Sequence, residues 1–176
     1  LSKKSASVRE DRWSFGMPGS GSAFAGLTIL QGDTERFHRN GFIAEAMAAV
    51  KVNGSRRLTG PHYEFTTRFG KFNGRDILID DGVRQRTCIG FVSAFDLPYV
   101  IVSGVFCQAV GRTTDPAPVA CMIDRIRFEK SELQPSAAQL AELSANGSPK
   151  CSSNSFHEPG RRRPVYDSRG QYRGLR

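Results

Sequence analysis

The chain has 176 residues, which suits one domain with terminal extensions, and 39% of them are hydrophobic. Twelve phenylalanines argue against a wholly disordered chain, because disordered segments carry few aromatic residues. The formal net charge of +8 is uneven: residues 150–176 hold seven basic and two acidic residues, and residues 1–12 hold four basic and two acidic ones. A nearly neutral body with cationic ends is unlike a nucleic-acid-binding fold, which carries its charge on the domain itself.

The N-terminal segment, residues 1–26, is rich in Ser and Gly and has Lys and Arg near its start. We expect it to form a flexible arm. Its stretch from Gly16 to Gly26 has only a superficial resemblance to a phosphate-binding loop, because it lacks the Lys-Ser/Thr pair and follows no hydrophobic strand. We interpret that stretch as a linker that leads into a single β-rich domain, residues 27–149.

The centre of this domain contains the Asx-Gly pairs Asn53-Gly54, Asn73-Gly74 and Asp81-Gly82. Such pairs favour type I′ hairpin turns, in which both central residues need positive φ. Runs of alternating or β-branched residues predict strands at 62–72, 76–80, 87–93, 99–106 and 119–128. The fold class we predict is mainly β (all-β or α+β): an antiparallel β-meander sandwich or barrel with one or two short helices and extended termini.

Two segments have helical features. Residues 42–50 place apolar residues at helical spacing, but Asn53-Gly54 follows at once and suits a hairpin, so helix and strand both stay open. Near the end of the domain, Ser136 and Gln139 fit a capping box, and Gly147 to Pro149 mark a stop. We expect a short helix between these signals that packs on the sheet.

The four cysteines are Cys88, Cys107, Cys121 and Cys151, and no two are spaced as a C-x-x-C redox or zinc motif. Their even number fits two disulfides in an oxidising compartment, whereas four reduced, buried thiols are the alternative. In a three-strand meander Cys107 would face both of its neighbours. Sequence leaves all three pairings open, and we favour Cys107 with Cys121 and Cys88 with Cys151.

The cysteine usage, together with Leu1 in place of an initiator Met, leads us to expect an extracytoplasmic protein, periplasmic or secreted. The most apolar stretch, Leu97 to Val110, is shorter than the roughly 20 residues that span a bilayer, so we expect no transmembrane segment.

Catalytic motifs are weak, and no catalytic residue is predicted from sequence. The histidines His38, His62 and His157 show no metal-ligand spacing, so we expect neither a metal site nor another cofactor. Glu64 and Asp124 could meet across a sheet as a general acid/base pair.

The C-terminal tail, residues 150–176, is dominated by Ser, Pro, Gly and Arg and cannot build a core of its own. Arginines interleaved with aromatic residues can bind acidic proteins, anionic lipid surfaces or nucleic acid. The candidate partner-binding residues are Arg161, Arg162, Arg163, Tyr166, Arg169, Tyr172 and Arg173.

The leading hypothesis is a non-enzymatic, extracytoplasmic binding or assembly subunit. Its disulfide-stabilised domain would contact other proteins of a larger assembly, or an anionic surface, through its terminal arms. One alternative is an intracellular protein that binds nucleic acid through the Arg-rich tail. A second is a small hydrolase whose site assembles only in the fold, from two or more of His62, Glu64, Asp124 and a free Cys.

Overall fold

The computed structural model describes residues 9–17, 20–32, 46, 54–80, 82, 84–94, 100–111, 115–128 and 138–146. This part of the chain forms six strands and two helices. In chain order they are β1 (Arg9–Phe15), β2 (Phe24–Gln31), β3 (Ser55–Thr67), β4 (Gly70–Asp80), β5 (Gln85–Ser93), β6 (Val100–Cys107), α1 (Pro116–Asp124) and α2 (Ala138–Asn146).

The strands form one antiparallel sheet in the order β1-β2-β6-β5-β4-β3. Strands β3 to β6 are a meander, and the β1–β2 hairpin joins the sheet through pairing of β2 with β6. Strand β2 is buried along its whole length, as a continuous apolar run covered on both faces should be. The prediction of a mainly β, antiparallel fold with short helices is confirmed.

The turn between β3 and β4 lies at Arg68 and Phe69, and not at Asn73-Gly74 as predicted. The Arg68 amide donates to the buried Asp124 carboxylate over 2.6 Å, and the Phe69 amide donates to Thr67 Oγ1 over 3.1 Å. Asn73-Gly74 lies inside β4, where a Cβ on Gly74 would come within 2.4 Å of the Tyr63 ring. That glycine makes room for an aromatic ring and forms no turn.

Gly82 of the predicted Asp81-Gly82 turn lies between β4 and β5, as expected, whereas Asp81 lies outside the described residues. Gly82 has a φ of 84°, and its amide donates to the Asp80 carboxylate over 2.9 Å.

The predicted strand at 119–128 is wrong, because residues 116–124 form helix α1. Asp115 is the N-cap, with its side chain accepting from the Ala117 amide, and Pro116 occupies the first turn, where its missing N–H costs nothing. These start signals outweigh the alternating pattern that follows. The predicted second helix is confirmed as α2.

Apolar side chains cover both faces of the sheet. On the first, called the helix face, Phe65, Phe72 and Phe91 pack with Val119 and Ile123 of α1. The second, called the disulfide face, holds a smaller cluster: Phe24, Ala46, Ile77, Ile79, Cys88, Val105 and Cys107. Ala46 has helical conformation; the other residues of the ambiguous segment 42–50 lie outside the described residues.

Cys88 and Cys107 form a disulfide, so both favoured pairings, Cys107 with Cys121 and Cys88 with Cys151, are wrong. The two cysteines face each other directly across β5 and β6. Cys121 lies on α1, away from the meander in which we had placed it, and it is also disulfide-bonded. Cys151 lies outside the described residues.

The predicted N-terminal arm, residues 1–26, overlaps the sheet, because residues 9–15 form β1 and β2 begins at Phe24. The predicted tail, residues 150–176, lies outside the described residues.

The Cys88–Cys107 bridge closes a loop with a sequence separation of 19 residues. We expect the double variant C88A/C107A to lose about 3 kcal/mol of unfolding free energy, because the unfolded chain regains the entropy of that loop. Urea unfolding without reductant measures this loss. Peptide mapping should find the Cys121 disulfide intact in the variant, and an unchanged urea midpoint would contradict the expectation.

Candidate functional site

A groove of about 860 Å³ lies on the helix face of the sheet. One wall consists of β1, β2 and the end of β6, and the other of α1 and residues 125–128. It exists because α1 packs along β3, at the far side of the sheet from the β1–β2 hairpin. The helix layer therefore leaves the β1 edge of this face open, where Trp13 and Phe15 are exposed.

The sheet wall follows from strand alternation, which places every second residue of a strand on the same face. The register pairs Trp13 with Leu27, and Phe15 with Ala25. Phe106 lies opposite Ala25 on β6 and extends the same apolar surface.

The helix wall follows from the spacing of residues on α1. Val119 and Ile123 point into the core, whereas Pro118, Met122 and Arg125 line the groove. Positions separated by three, four and seven residues share one face of a helix, so α1 has a core face and a groove face. Beyond the helix, Ile126 and Phe128 continue the apolar lining.

The groove exposes aromatic surface. Trp13 is 41% and Phe15 53% exposed, and both are among the few large apolar side chains that the described residues leave exposed. Because exposed apolar area concentrated in a concavity marks a binding surface, these two rings favour a ligand or partner here.

One end of the groove is polar. Gln31, which is 1% exposed, donates to the Asp11 carboxylate over 3.2 Å. Arg9 also binds Asp11, with its Nε 2.9 Å from a carboxylate oxygen. These three side chains lie on the same face as Trp13 and Phe15, so the groove changes from aromatic to charged along β1.

The opposite wall adds two more cations. Arg127 donates to the Ser144 carbonyl over 2.9 Å and is held against α2. The exposed Arg125 side chain makes no hydrogen bond or ion pair within the described part of the chain. Three arginines and one aspartate line the groove, so its rim has a net positive charge.

The candidate hydrolytic groups do not converge. Asp124 is buried and bound to the Arg68 amide on the helix face. Glu64 alternates with the core residue Phe65, so it points to the other face, where it pairs with Lys71 at 3.6 Å. His62 lies 3.3 Å from the Arg75 guanidinium. Every cysteine among the described residues is in a disulfide.

Asp124 instead belongs to a structural clamp. The Arg68 guanidinium donates to the Ser144 carbonyl over 3.0 Å and to the Ile126 carbonyl, which ties the β3–β4 turn to both helices. Burial lowers the pKa of Arg68, the nearby Arg127 lowers it further, and Asp124 opposes both. This clamp fixes residues 125–128, which form the groove wall beyond α1.

The predicted partner-binding residues of the tail, and both His38 and His157, lie outside the described residues. Among the residues that are described, no cluster of His, Cys, Asp or Glu could hold a metal ion. No helix in that part of the chain is long and apolar enough to cross a membrane.

Comparison of the chain with protein-family models, with curated proteins and with solved structures finds no match.

Sequence reasoning missed the groove because it read Gly16–Gly26 as a linker and residues 119–128 as a strand. Two signals point the other way. The run Leu27-Thr28-Ile29-Leu30 has the composition of a buried strand, and Asp115-Pro116 is a helix start.

Asp76 of β4 is a carboxylate on the helix face, and its pKa is raised in the folded chain. Burial raises the pKa of Asp76 above its ordinary 3.8, and the hydrogen bond from Tyr63, 3.4 Å long, partly opposes this. Ionisation therefore costs more in the folded chain than in the unfolded chain.

We expect the wild type to lose unfolding free energy relative to D76N as the pH rises through the raised Asp76 pKa, because Asn cannot ionise. Below pH 3.8 Asp76 is protonated in both the folded and the unfolded chain, so its contribution to the unfolding free energy is fully present there. Urea unfolding at about pH 3 and about pH 7 measures the change. E142Q, at an exposed carboxylate on α2, is the control. If the difference in unfolding free energy between D76N and wild type is the same at both pH values, the expectation is wrong.

Proposed function

We propose that this chain is a non-enzymatic, extracytoplasmic binding protein, and that the groove takes an amphipathic ligand with a long apolar chain and an anionic end. The observation that carries the proposal is the composition of the groove: aromatic and aliphatic walls beside a rim with three arginines and one aspartate.

The size and lining of the groove support a small ligand. Ligand sites typically enclose about 300–1,000 Å³, with mostly apolar walls and a few polar groups that fix orientation. The apolar chain would lie between Trp13 and Met122, and so remove the exposed aromatic surface from water.

The charge of the rim supports an anionic end group. Arg125 is exposed and has no partner in the described part of the chain, so it can turn towards a ligand at little cost. A guanidinium binds a carboxylate or phosphate through charge-assisted hydrogen bonds, whereas it would repel a cationic headgroup.

The disulfides support an oxidising compartment. Cys88–Cys107 is buried in the disulfide face, and Cys121 is also disulfide-bonded. Such bonds persist in secreted and periplasmic proteins and are rare in the reducing cytosol.

The terminal arms are the second part of the proposal and rest on the sequence. The seven candidate Arg and Tyr residues of the tail combine positive charge with aromatic rings, which suits an anionic surface. The domain would bind the ligand, and the tail would attach the domain to a surface or to an assembly.

Trp13 allows a direct test of the groove, because it is the single tryptophan of the chain. We expect sub-micellar palmitate to shift its fluorescence to shorter wavelength in a saturable way, as the ring leaves water. Hexadecanol should bind more weakly, and hexadecyltrimethylammonium weakest of all. R125Q should weaken palmitate binding about tenfold, through loss of a charge-assisted hydrogen bond, and leave hexadecanol unchanged.

R12Q is the matched control, since Arg12 lies on the same strand as Trp13 but faces the other side and pairs with Glu10. M122E should weaken all three amphiphiles. If no amphiphile shifts the Trp13 emission, or if the cation binds as tightly as palmitate, the groove proposal is wrong.

The tail has its own test. We expect R161Q/R162Q/R163Q to weaken binding to vesicles with anionic lipid about 100-fold, at about 1 kcal/mol for each arginine. R56Q/R57Q, at two exposed arginines of β3, should change it little. Co-sedimentation at several salt concentrations measures the effect. Steeply salt-dependent binding to RNA without vesicle binding would instead favour the nucleic-acid alternative.

A further inference from the structure

A second charged group lies on the disulfide face, away from the groove. Arg86 of β5 is 7% exposed, and its guanidinium carbon lies 5.7 Å from the centre of the Phe24 ring. Its Nη1 donates to the Ser22 carbonyl over 2.9 Å. Its Nε and Nη2 are buried and have no hydrogen-bond partner in the described part of the chain.

These two nitrogens form one edge of the guanidinium. Nε–H and Nη2–H point the same way, and this pair is the fork that binds two oxygens of one carboxylate or phosphate. The Ser22 carbonyl and the Phe24 ring hold Arg86 from other directions and leave this edge intact. A buried cation with unused donors is costly, and a bound anion is the ordinary way to offset that cost.

A second guanidinium approaches the same place. Gly21 has a φ of 81°, and a Cβ built on it would lie 2.9 Å from Arg84 Nη1 and 3.9 Å from Arg86 Nη2. Both cations therefore lie close to one point beside the Gly-rich β1–β2 loop, and no acidic side chain pairs with Arg86 in the described residues.

We propose that Arg86 and Arg84, with the loop at Gly21 and Ser22, form a binding site for a phosphate dianion, either inorganic phosphate or a phosphomonoester. Arg86 supplies the bidentate fork, and Arg84 supplies the second positive charge. Gly21 and Ser22 lie beside both arginines, and the exposed Ser20 and Ser22 mark the side from which the anion would enter. Arg86 and Arg84 do not line the groove, but Phe24 lies beside both sites.

The test uses the full chain and inorganic phosphate, with chloride at equal ionic strength as the reference. We expect a saturable rise in Tm with phosphate and a matching millimolar or tighter Kd by calorimetry, because a ligand that binds the folded state stabilises it. A phosphomonoester such as glycerol 2-phosphate should bind similarly if the site takes terminal phosphates. Acetate should bind about tenfold more weakly, since a monoanion gains less from two guanidinium groups.

Three variants separate the parts of the site. R86K keeps the positive charge but loses the two-donor edge of the guanidinium, and should weaken phosphate binding about tenfold. Arg84 is exposed, so R84Q should leave the fold intact. It should weaken phosphate binding by a similar factor without removing the bidentate contact with Arg86. R12Q, on the exposed side of β1, should leave phosphate binding unchanged.

A phosphate effect on Tm that does not saturate, or that is the same in R84Q and R12Q, would overturn the site. Acetate binding as tight as phosphate would overturn its assignment to a dianion. If R86K fails to fold, R84Q and R12Q still decide the outcome.

Discussion

Packing of α1 along β3 determines where the groove lies on the sheet. Val119 and Ile123 must bury their apolar surface among the phenylalanines of the meander, and this fixes the helix over one side of the sheet. The sheet is wider than that helix, because the β1–β2 hairpin adds two strands beyond β6. Its outer apolar residues therefore face a groove, and the Arg68 clamp holds the groove's second wall in place.

The two proposed sites use the same hairpin in different ways. The helix face of β1 and β2 supplies aromatic and aliphatic surface to the groove, whereas Ser22 in the loop between them accepts a hydrogen bond from the guanidinium of Arg86. One site favours a long apolar chain and the other a small oxyanion, and they need not be filled together. Apolar burial dominates the first site, and charge-assisted hydrogen bonds dominate the second.

The sequence predicted an antiparallel meander, and β5 and β6 lie close to the predicted strands 87–93 and 99–106. The predicted strand 62–72 has the wrong bounds, because the turn at Arg68 and Phe69 interrupts it. The sequence-based prediction was wrong where one sequence pattern is compatible with two different structures. Asn73-Gly74 suits a hairpin, yet here glycine leaves room for the Tyr63 ring. Residues 119–128 alternate like a strand, yet Asp115 caps a helix. The walls of the groove come mainly from the misread segments, β1, β2 and α1, so the groove could not be predicted.

The topology also bears on the order in which the molecule assembles. Strands β3 to β6 pair with their neighbours along the chain, so they close short loops. Strand β2 must wait for β6, from which it is separated by the whole meander, and closing that long loop costs more chain entropy. The hairpin should therefore dock late in folding, and its exposed edge strand β1, unlike the buried β2, should open first under stress. A binding wall built from it could be loosened without unfolding the meander, which would give a ligand a way in.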